Sequence, residues 1–315
     1  MHEVVCDYCG SSGWQAIYTV QDTNYHYPGT FKLVECTQCH LVFLNPRPSP
    51  EEIINFYPDE DYHPFKALRG AQLPEPAEQQ QRRASELTSL MGSGRVLDVG
   101  CSTGLFLLAM QRNGWQVSGV EPSLAAAAFA RSKLQLDVMT GFIQDIDQLA
   151  TFDLITFWEV LEHTHSPQTV LTHASQLLSP GGYLAASVPN WASWERRLFR
   201  QRWIELDTPR HLFHFTPQTL SNYLDRCGFQ VVRLDVRAKP HTLANNLLRF
   251  AGDVFLHRPS SASTGSMLRQ PSGPTKGSAG KMRLIALTRS VMKVSNVIIN
   301  LFGSGSGIEV LAQKR

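Results

Sequence analysis

Three sets of residues have types and spacings suited to chemistry. Cys6-x-x-Cys9 and Cys36-x-x-Cys39 form two knuckles separated by 26 residues. Each aims two thiolates at one point, and together they make the tetrahedral sulfur cage that suits Zn²⁺. The run Asp98-Val-Gly100-Cys101-Ser102-Thr-Gly104 puts a carboxylate just ahead of a glycine turn, and Glu121-Pro122 follows after a further apolar stretch. A carboxylate there repels a pyrophosphate but suits a ligand carrying an ammonium and a sulfonium, while Glu121 is placed to grip a ribose diol. The spacing also departs from the G-x-G-x-x-G of dinucleotide sites. The third set is Glu159, Glu162 and His163, joined later in the chain by His211 and His214 within an aromatic run. Neutral histidine titrates near the working pH, as a general base needs.

These residues need elements to position them. Val96, Leu97 and Val99 form a short apolar strand that runs into the glycine turn, and Leu105, Phe106, Leu107, Leu108 and Met110 start a helix beyond it. Glycine tolerates the left-handed backbone that such a turn needs. Strand, turn and helix make the first unit of a doubly wound sheet, whose ligands sit at the carboxyl ends of the strands. Further strands are expected at Val117–Val120, near Val138, at Phe152–Trp158, Tyr183–Val188 and Phe229–Val236, alternating with helices at Leu124–Lys133 and Pro167–Leu178. That alternation implies a mostly parallel sheet in an α/β fold. Trp14–Val20 and Phe31–Glu35 alternate as short strands between the cysteine knuckles, giving a small N-terminal zinc ribbon that depends on metal to fold. Cys36-x-x-Cys39-His40 also spells a haem attachment site, but that reading leaves Cys6 and Cys9 unexplained.

The combined pattern D-V-G-C-S-T-G, G-V-E-P, F-D-L-I, E-V-L-E-H and L-S-P-G-G over 95–238 resembles class I S-adenosylmethionine (SAM)-dependent methyltransferases. The run from Cys36 through Leu-Asn-Pro-Arg-Pro to Tyr57 and Tyr62 is similar to bacterial members that carry an N-terminal zinc ribbon. The resemblance implies a seven-stranded Rossmann-like sheet closed by a reversed seventh strand at Ile308–Gln313. It implies SAM and Zn²⁺ as cofactors, with Asp98, Gly100, Cys101, Ser102, Gly104, Glu121, Pro122, Phe142, Ile143 and Trp158 around SAM. It also places the tyrosine-bearing segment over the cofactor. Ser102 stands where a glycine is usual. The segment E-x-x-E-H matches metal-binding positions of ubiquinone-pathway O-methyltransferases, so three readings of Glu159, Glu162 and His163 stay open: base and orienting acids, a divalent-cation site, or a helix cap. On the first reading the base is His163 or His211, with Glu159 or Glu162 orienting it.

The organisation expected is a ribbon at 1–46, a helical connector at 47–94 and a methyltransferase domain at 95–315. Within the last, 239–302 is an insertion comprising a flexible linker (258–281) and an amphipathic helix (283–302). The stretch 191–217, with Trp191, Trp194, Trp203, Arg210, His211 and His214, suits a polar ring or sugar substrate. The acceptor implied is a small polar molecule, a sugar, nucleotide-sugar or glycan. The rivals are a zinc-ribbon RNA methyltransferase, an O-methyltransferase of a lipid-like quinone precursor, and a zinc-dependent protein that binds SAM without turning it over. Nucleic-acid binding demands a basic stripe, and the ribbon has Lys32 as its one Lys or Arg. The chain is nearly neutral, with 29 basic and 27 acidic residues, yet no acid lies between Asp253 and Glu309. The helix at 283–302 therefore has a purely positive polar face and is expected to touch an anionic membrane surface weakly. The first 20 residues lack a basic start with an apolar run, and six cysteines then imply a reducing, cytoplasmic setting, peripheral at most to the inner face of the membrane.

Overall fold

The computed structural model describes residues 1–57, 74–147, 151–239, 242–243, 245–247 and 304–315. Tyr62, the linker 258–281 and the amphipathic helix 283–302 lie outside the described residues. No helix among the described residues is long and apolar enough to cross a membrane.

In chain order the strands are β1 (Trp14–Val20), β2 (Phe31–Cys36), β3 (Val42–Leu44), β4 (Arg95–Val99), β5 (Gln116–Glu121), β6 (Val138–Thr140), β7 (Phe152–Trp158), β8 (Leu178–Pro189), β9 (Phe213–His214), β10 (Phe229–Arg237) and β11 (Gly307–Lys314). The helices are α1 (Glu78–Met91), α2 (Leu105–Arg112), α3 (Leu124–Leu134), α4 (Pro167–Leu177), α5 (Trp194–Phe199) and α6 (Pro217–Arg226). The large sheet runs β6-β5-β4-β7-β8-β11-β10. Its ladders are parallel from β6 to β8, whereas β11 pairs antiparallel with both β8 and β10. This is the seven-stranded, mostly parallel sheet expected, with its reversed last strand inserted between β8 and β10. Strand order turns back between β4 and β7, which opens a crevice at their carboxyl ends.

Local chemistry explains the helix starts. Ser123, Ser166, Ser193 and Thr216 each accept a hydrogen bond from the backbone N–H three residues on. This satisfies one of the donors that every helix start leaves open. Pro167 and Pro217 occupy the first helical position, where a missing N–H costs nothing. Ser179–Gly182 lies within β8 as a bulge, since Phe152 pairs with Leu178 but Leu154 with Tyr183.

A second, antiparallel sheet runs β1-β2-β3-β9. Its fourth strand comes from residues 213–214, so the cysteine-bearing segment shares a ladder with the half of the chain that carries the large sheet. The two also share one apolar core, in which Phe31, Leu33, Val34 and Phe43 join Phe157, Leu161, Phe213 and Tyr223.

Candidate active site

The glycine turn after β4 carries three left-handed residues, Gly100 (φ 68°), Ser102 (φ 50°) and Gly104 (φ 81°). A Cβ on Gly100 would also come within 2.6 Å of Val160, and one on Gly104 within 2.6 Å of Leu136. Both positions therefore exclude side chains on two counts. Ser102 adopts the same backbone despite its side chain, and its N–H donates to Glu121 Oε2 at 2.8 Å. Glu121 Oε1 accepts from Ser123 N at 2.8 Å. The carboxylate at the end of β5 is thus fastened to the turn after β4. Burial raises its pKa above the usual range.

Asp98 is 2 % exposed and accepts from Thr156 Oγ1 at 2.6 Å. Burial pushes its carboxyl up to about 7. Cys101 points its side chain into the apolar cluster with Leu107, Ala130 and Val138, leaving its main chain to face the turn. Pro122 is exposed; Phe142 is exposed as well, while Ile143 is buried in the core. Trp158 packs edge-on against Phe106 at 5.1 Å and under the Arg83 guanidinium at 4.0 Å.

The second half of the crevice begins where β7 ends. Glu159 takes a left-handed backbone (φ 58°). It forms an ion pair with Lys239 and accepts from Ser187 Oγ at 2.8 Å. Glu159 is therefore turned away from its two motif partners. Glu162, His163 and His211 come together, each offering a ligand-type atom within 4.8 Å of the others. Glu162 is fully buried and neither carboxyl oxygen has a hydrogen-bond partner. Burial first, then the Glu159 charge, raise its pKa well above the ordinary value. His163 Nδ1 lies 3.1 Å from the Arg210 carbonyl oxygen and 3.1 Å from the Tyr57 hydroxyl. A carbonyl only accepts, so Nδ1 carries the proton and Nε2 keeps its lone pair. Burial and the neighbouring His211 lower this imidazole to about 3. His211 Nδ1 donates to the Glu205 carbonyl at 2.8 Å, which likewise leaves Nε2 with a lone pair. That Nε2 is 3.9 Å from the Asp207 carboxylate. The two imidazoles meet edge to face at 4.5 Å.

A base is useful when its conjugate acid forms readily near neutral pH. His163, lowered to about 3, is a poor acceptor of protons. His211 has the Asp207 carboxylate beside its lone-pair nitrogen. Tyr57 lies against His163, and burial and then the charges of Asp207, Glu162 and Glu121 raise its hydroxyl pKa.

Arg210 corrects a sequence expectation. It does not reach toward a substrate, because its guanidinium is fully buried against Asp22 (2.7 Å) and Asp207 (2.8 Å). Its role is to hold the loop whose carbonyl fixes His163. Sequence reasoning also missed Lys239, Asp207, Asp22 and the full isolation of His214. The last is 2 % exposed, has no hydrogen-bond partner on either ring nitrogen, and rests against Trp191 at 5.2 Å. No local pattern marks these residues: Lys239 meets Glu159 80 positions away and Asp22 meets Arg210 188 positions away, while the Asp207 carboxylate takes its place only once that pair is formed.

At the N-terminus, the Cys6, Cys9, Cys36 and Cys39 sulfurs all fall within 4.8 Å of one another, and none is in a disulfide. Cys6 and Cys39 are 3.4 Å apart and Cys9 and Cys36 are 3.5 Å apart. Four Zn–S bonds of about 2.3 Å at tetrahedral angles require sulfurs about 3.7 Å apart, so the group fits. Burial raises Cys36, but the backbone N–H groups of Cys39 and Gln38 outweigh it and lower the thiol to about 7.

A doubly wound sheet of this order, with an acid-tipped glycine turn beneath its switch point, defines a class I methyltransferase fold. A sequence profile described as a methyltransferase domain matches residues 76–234, half of the chain. The chain belongs to the methyltransferase-domain family. It is 32 % identical over 161 residues to a ubiquinone biosynthesis O-methyltransferase of Nitrobacter winogradskyi, covering 48 % of this chain and 61 % of that protein. It is 30 % identical over 173 residues to the protein of that name from Bradyrhizobium diazoefficiens, covering 51 % and 68 %. The chain thus spans less than two thirds of the first relative's length. Among solved structures, the [4+2]-cyclase SpnF superposes with a TM-score of 0.51 at 16 % identity, over 85 % of this chain and 97 % of that one. At that identity the likeness shows the fold alone.

Proposed function

We propose that the protein is a SAM-dependent O-methyltransferase acting on a hydroxyl of a small polar acceptor, a sugar, nucleotide-sugar or glycan. The observation that carries the reading is the union of a Glu121 carboxylate fastened to the glycine turn with a buried Glu162–His163–His211 group across the same crevice. SAM supplies a methyl group on a positively charged sulfonium. Asp98 and Glu121 complement the ligand's ammonium and its ribose hydroxyls, and Phe142 offers an exposed ring for the adenine. His211 Nε2 takes the acceptor's proton, and Asp207 stabilises the imidazolium that forms. Holding the acceptor oxygen in line with the methyl group accounts for much of the barrier lowering.

Calorimetry tests the cofactor half. Glu121→Ala should weaken SAM binding by about 1–3 kcal/mol, the scale of hydrogen bonds to a charged group. Unchanged affinity would remove the crevice from consideration.

A second reading is favoured by the relatives, whose names assign them O-methylation in ubiquinone biosynthesis. Here the acceptor is a lipid-like quinone precursor, and Glu162, with both oxygens unpartnered, joins His163 and His211 around a divalent cation. Formation of S-adenosylhomocysteine with nucleotide-sugars against short-chain hydroxylated quinone precursors, each with and without Mg²⁺, separates the two.

The four cysteines would hold one Zn²⁺ as a closed structural site. Metal analysis should find one zinc per chain and a loss of it in Cys36→Ser. Full occupancy in that variant would show that the cage is composed of other residues.

A further inference from the structure

The knuckle that carries Cys6 and Cys9 also carries Asp7, whose carboxylate leaves the cysteine site and reaches the catalytic half. Its Oδ1 accepts from Ser166 Oγ at 2.7 Å. Its Oδ2 accepts from the Gln168 backbone N–H at 3.1 Å and from the Tyr223 hydroxyl at 3.1 Å. Ser166 and Gln168 are the cap and second residue of α4, the helix that follows His163. Ser166 serves the N–H of Thr169, so Asp7 serves the next open donor and puts a negative charge at the positive end of the helix. The neighbouring Tyr8 packs on Tyr223 with ring centroids 5.1 Å apart. Its carbonyl accepts from Arg226 on α6. From the start of the connector, Arg47 Nη2 donates to the His165 carbonyl at 2.7 Å. The segment 164–168, directly after His163, is thus held from two directions by residues outside the methyltransferase sheet.

We infer that Asp7 is a positioning residue, and that the cysteine knuckle exists in part to present it: metal bound by the four thiolates fixes the knuckle, and Asp7 passes that order to α4 and the His163 loop. Within the knuckle the backbone bonds are short-range, Cys6 N to Ser11 O and Gly10 N to Cys6 O. They do not by themselves set its orientation relative to α4; Asp7 is the knuckle's hydrogen-bonded link to that helix, and the Tyr8 contacts reach α6 instead. Among the described residues, no hydrogen bond runs from the knuckle to the SAM half built from β4, β5 and their turns. Loss of metal is therefore expected to loosen the acceptor half and spare SAM binding. This rests on the proposed function only in naming the two halves; the brace is measurable without any acceptor.

Hydrogen exchange on the full-length, zinc-loaded protein tests it. In Asp7→Ala, amides in 164–172 should exchange at least tenfold faster, while those in 95–121 keep their rates, zinc stays at one per chain and SAM affinity changes less than twofold. Asp7→Asn keeps one acceptor for Gln168 and should fall between the two. It also carries the test should Asp7→Ala fail to fold. Removing zinc from the unmutated protein with a chelator should reproduce the faster exchange in 164–172, and in Asp7→Ala should add nothing there. Unchanged exchange in both variants, or in the chelated protein, overturns the inference. So does a rise spread equally over 95–121, because Asp7 would then support the whole fold. Absence of SAM binding in the unmutated protein would sink the proposed function and leave the brace standing.

Discussion

Replacing His211 by Asn or Gln should lower turnover on an identified acceptor by roughly 10²–10⁴, the usual range for loss of a general base, with SAM affinity kept. The same change at His163 should cost less. Its Nδ1–H is committed to the Arg210 carbonyl, and burial holds it neutral throughout the working pH range. Near-normal turnover in the His211 variants would remove the base assignment. If activity instead follows added Mg²⁺ and disappears with chelator while zinc stays bound, Glu162, His163 and His211 are ligands to a cation.

The second large effect concerns stability. Asp22 and Arg210 form a fully buried ion pair, with Asp207 as the second carboxylate. Removing one partner of such a pair strands the other away from water, at a cost of about 3–5 kcal/mol. Asp22→Ala should fall near the lower end, since Asp207 still faces the guanidinium, and Arg210→Ala near the upper, since two carboxylates lose their cation. Urea unfolding measures both. Either variant within 1 kcal/mol of the parent would mean that the cluster is hydrated or dispensable. Because the Arg210 carbonyl also orients His163, catalysis should decline even in the fraction that stays folded.

The sheet was legible because each of its signals is local. An apolar strand running into Asp98-Val-Gly100, or Phe152–Trp158 into Glu159, declares itself within ten residues. β4, β7 and the reversed β11 stand where spacing and resemblance put them. The cysteine cage was legible for the same reason, two knuckles each closed within four residues. β3 and β9 were not, since strands of three and two residues exist only through a ladder joining Val42 and Phe43 to His214 and Phe213. The site divides in the same way. Glu162, His163 and His211 belong to motifs, but that Glu159 turns to Lys239 depends on a left-handed backbone no pattern announces. Arg210 misled because an arginine amid aromatics reads as a substrate ligand, whereas its partner Asp22 lies 188 positions earlier.

The position of β11 has a consequence for how the chain reaches its folded state. Residues 307–314 fill an interior place in the sheet, between β8 and β10. Until they are synthesised, the two strands have no ladder between them, and β8 ends at residue 189. At ~5–20 residues per second, the ribosome leaves that apolar edge unpaired for roughly ten seconds. An edge so exposed is a template for pairing with another chain. The sheet therefore closes late and through non-local pairing, and the time its open edge is exposed is set by the strand order itself.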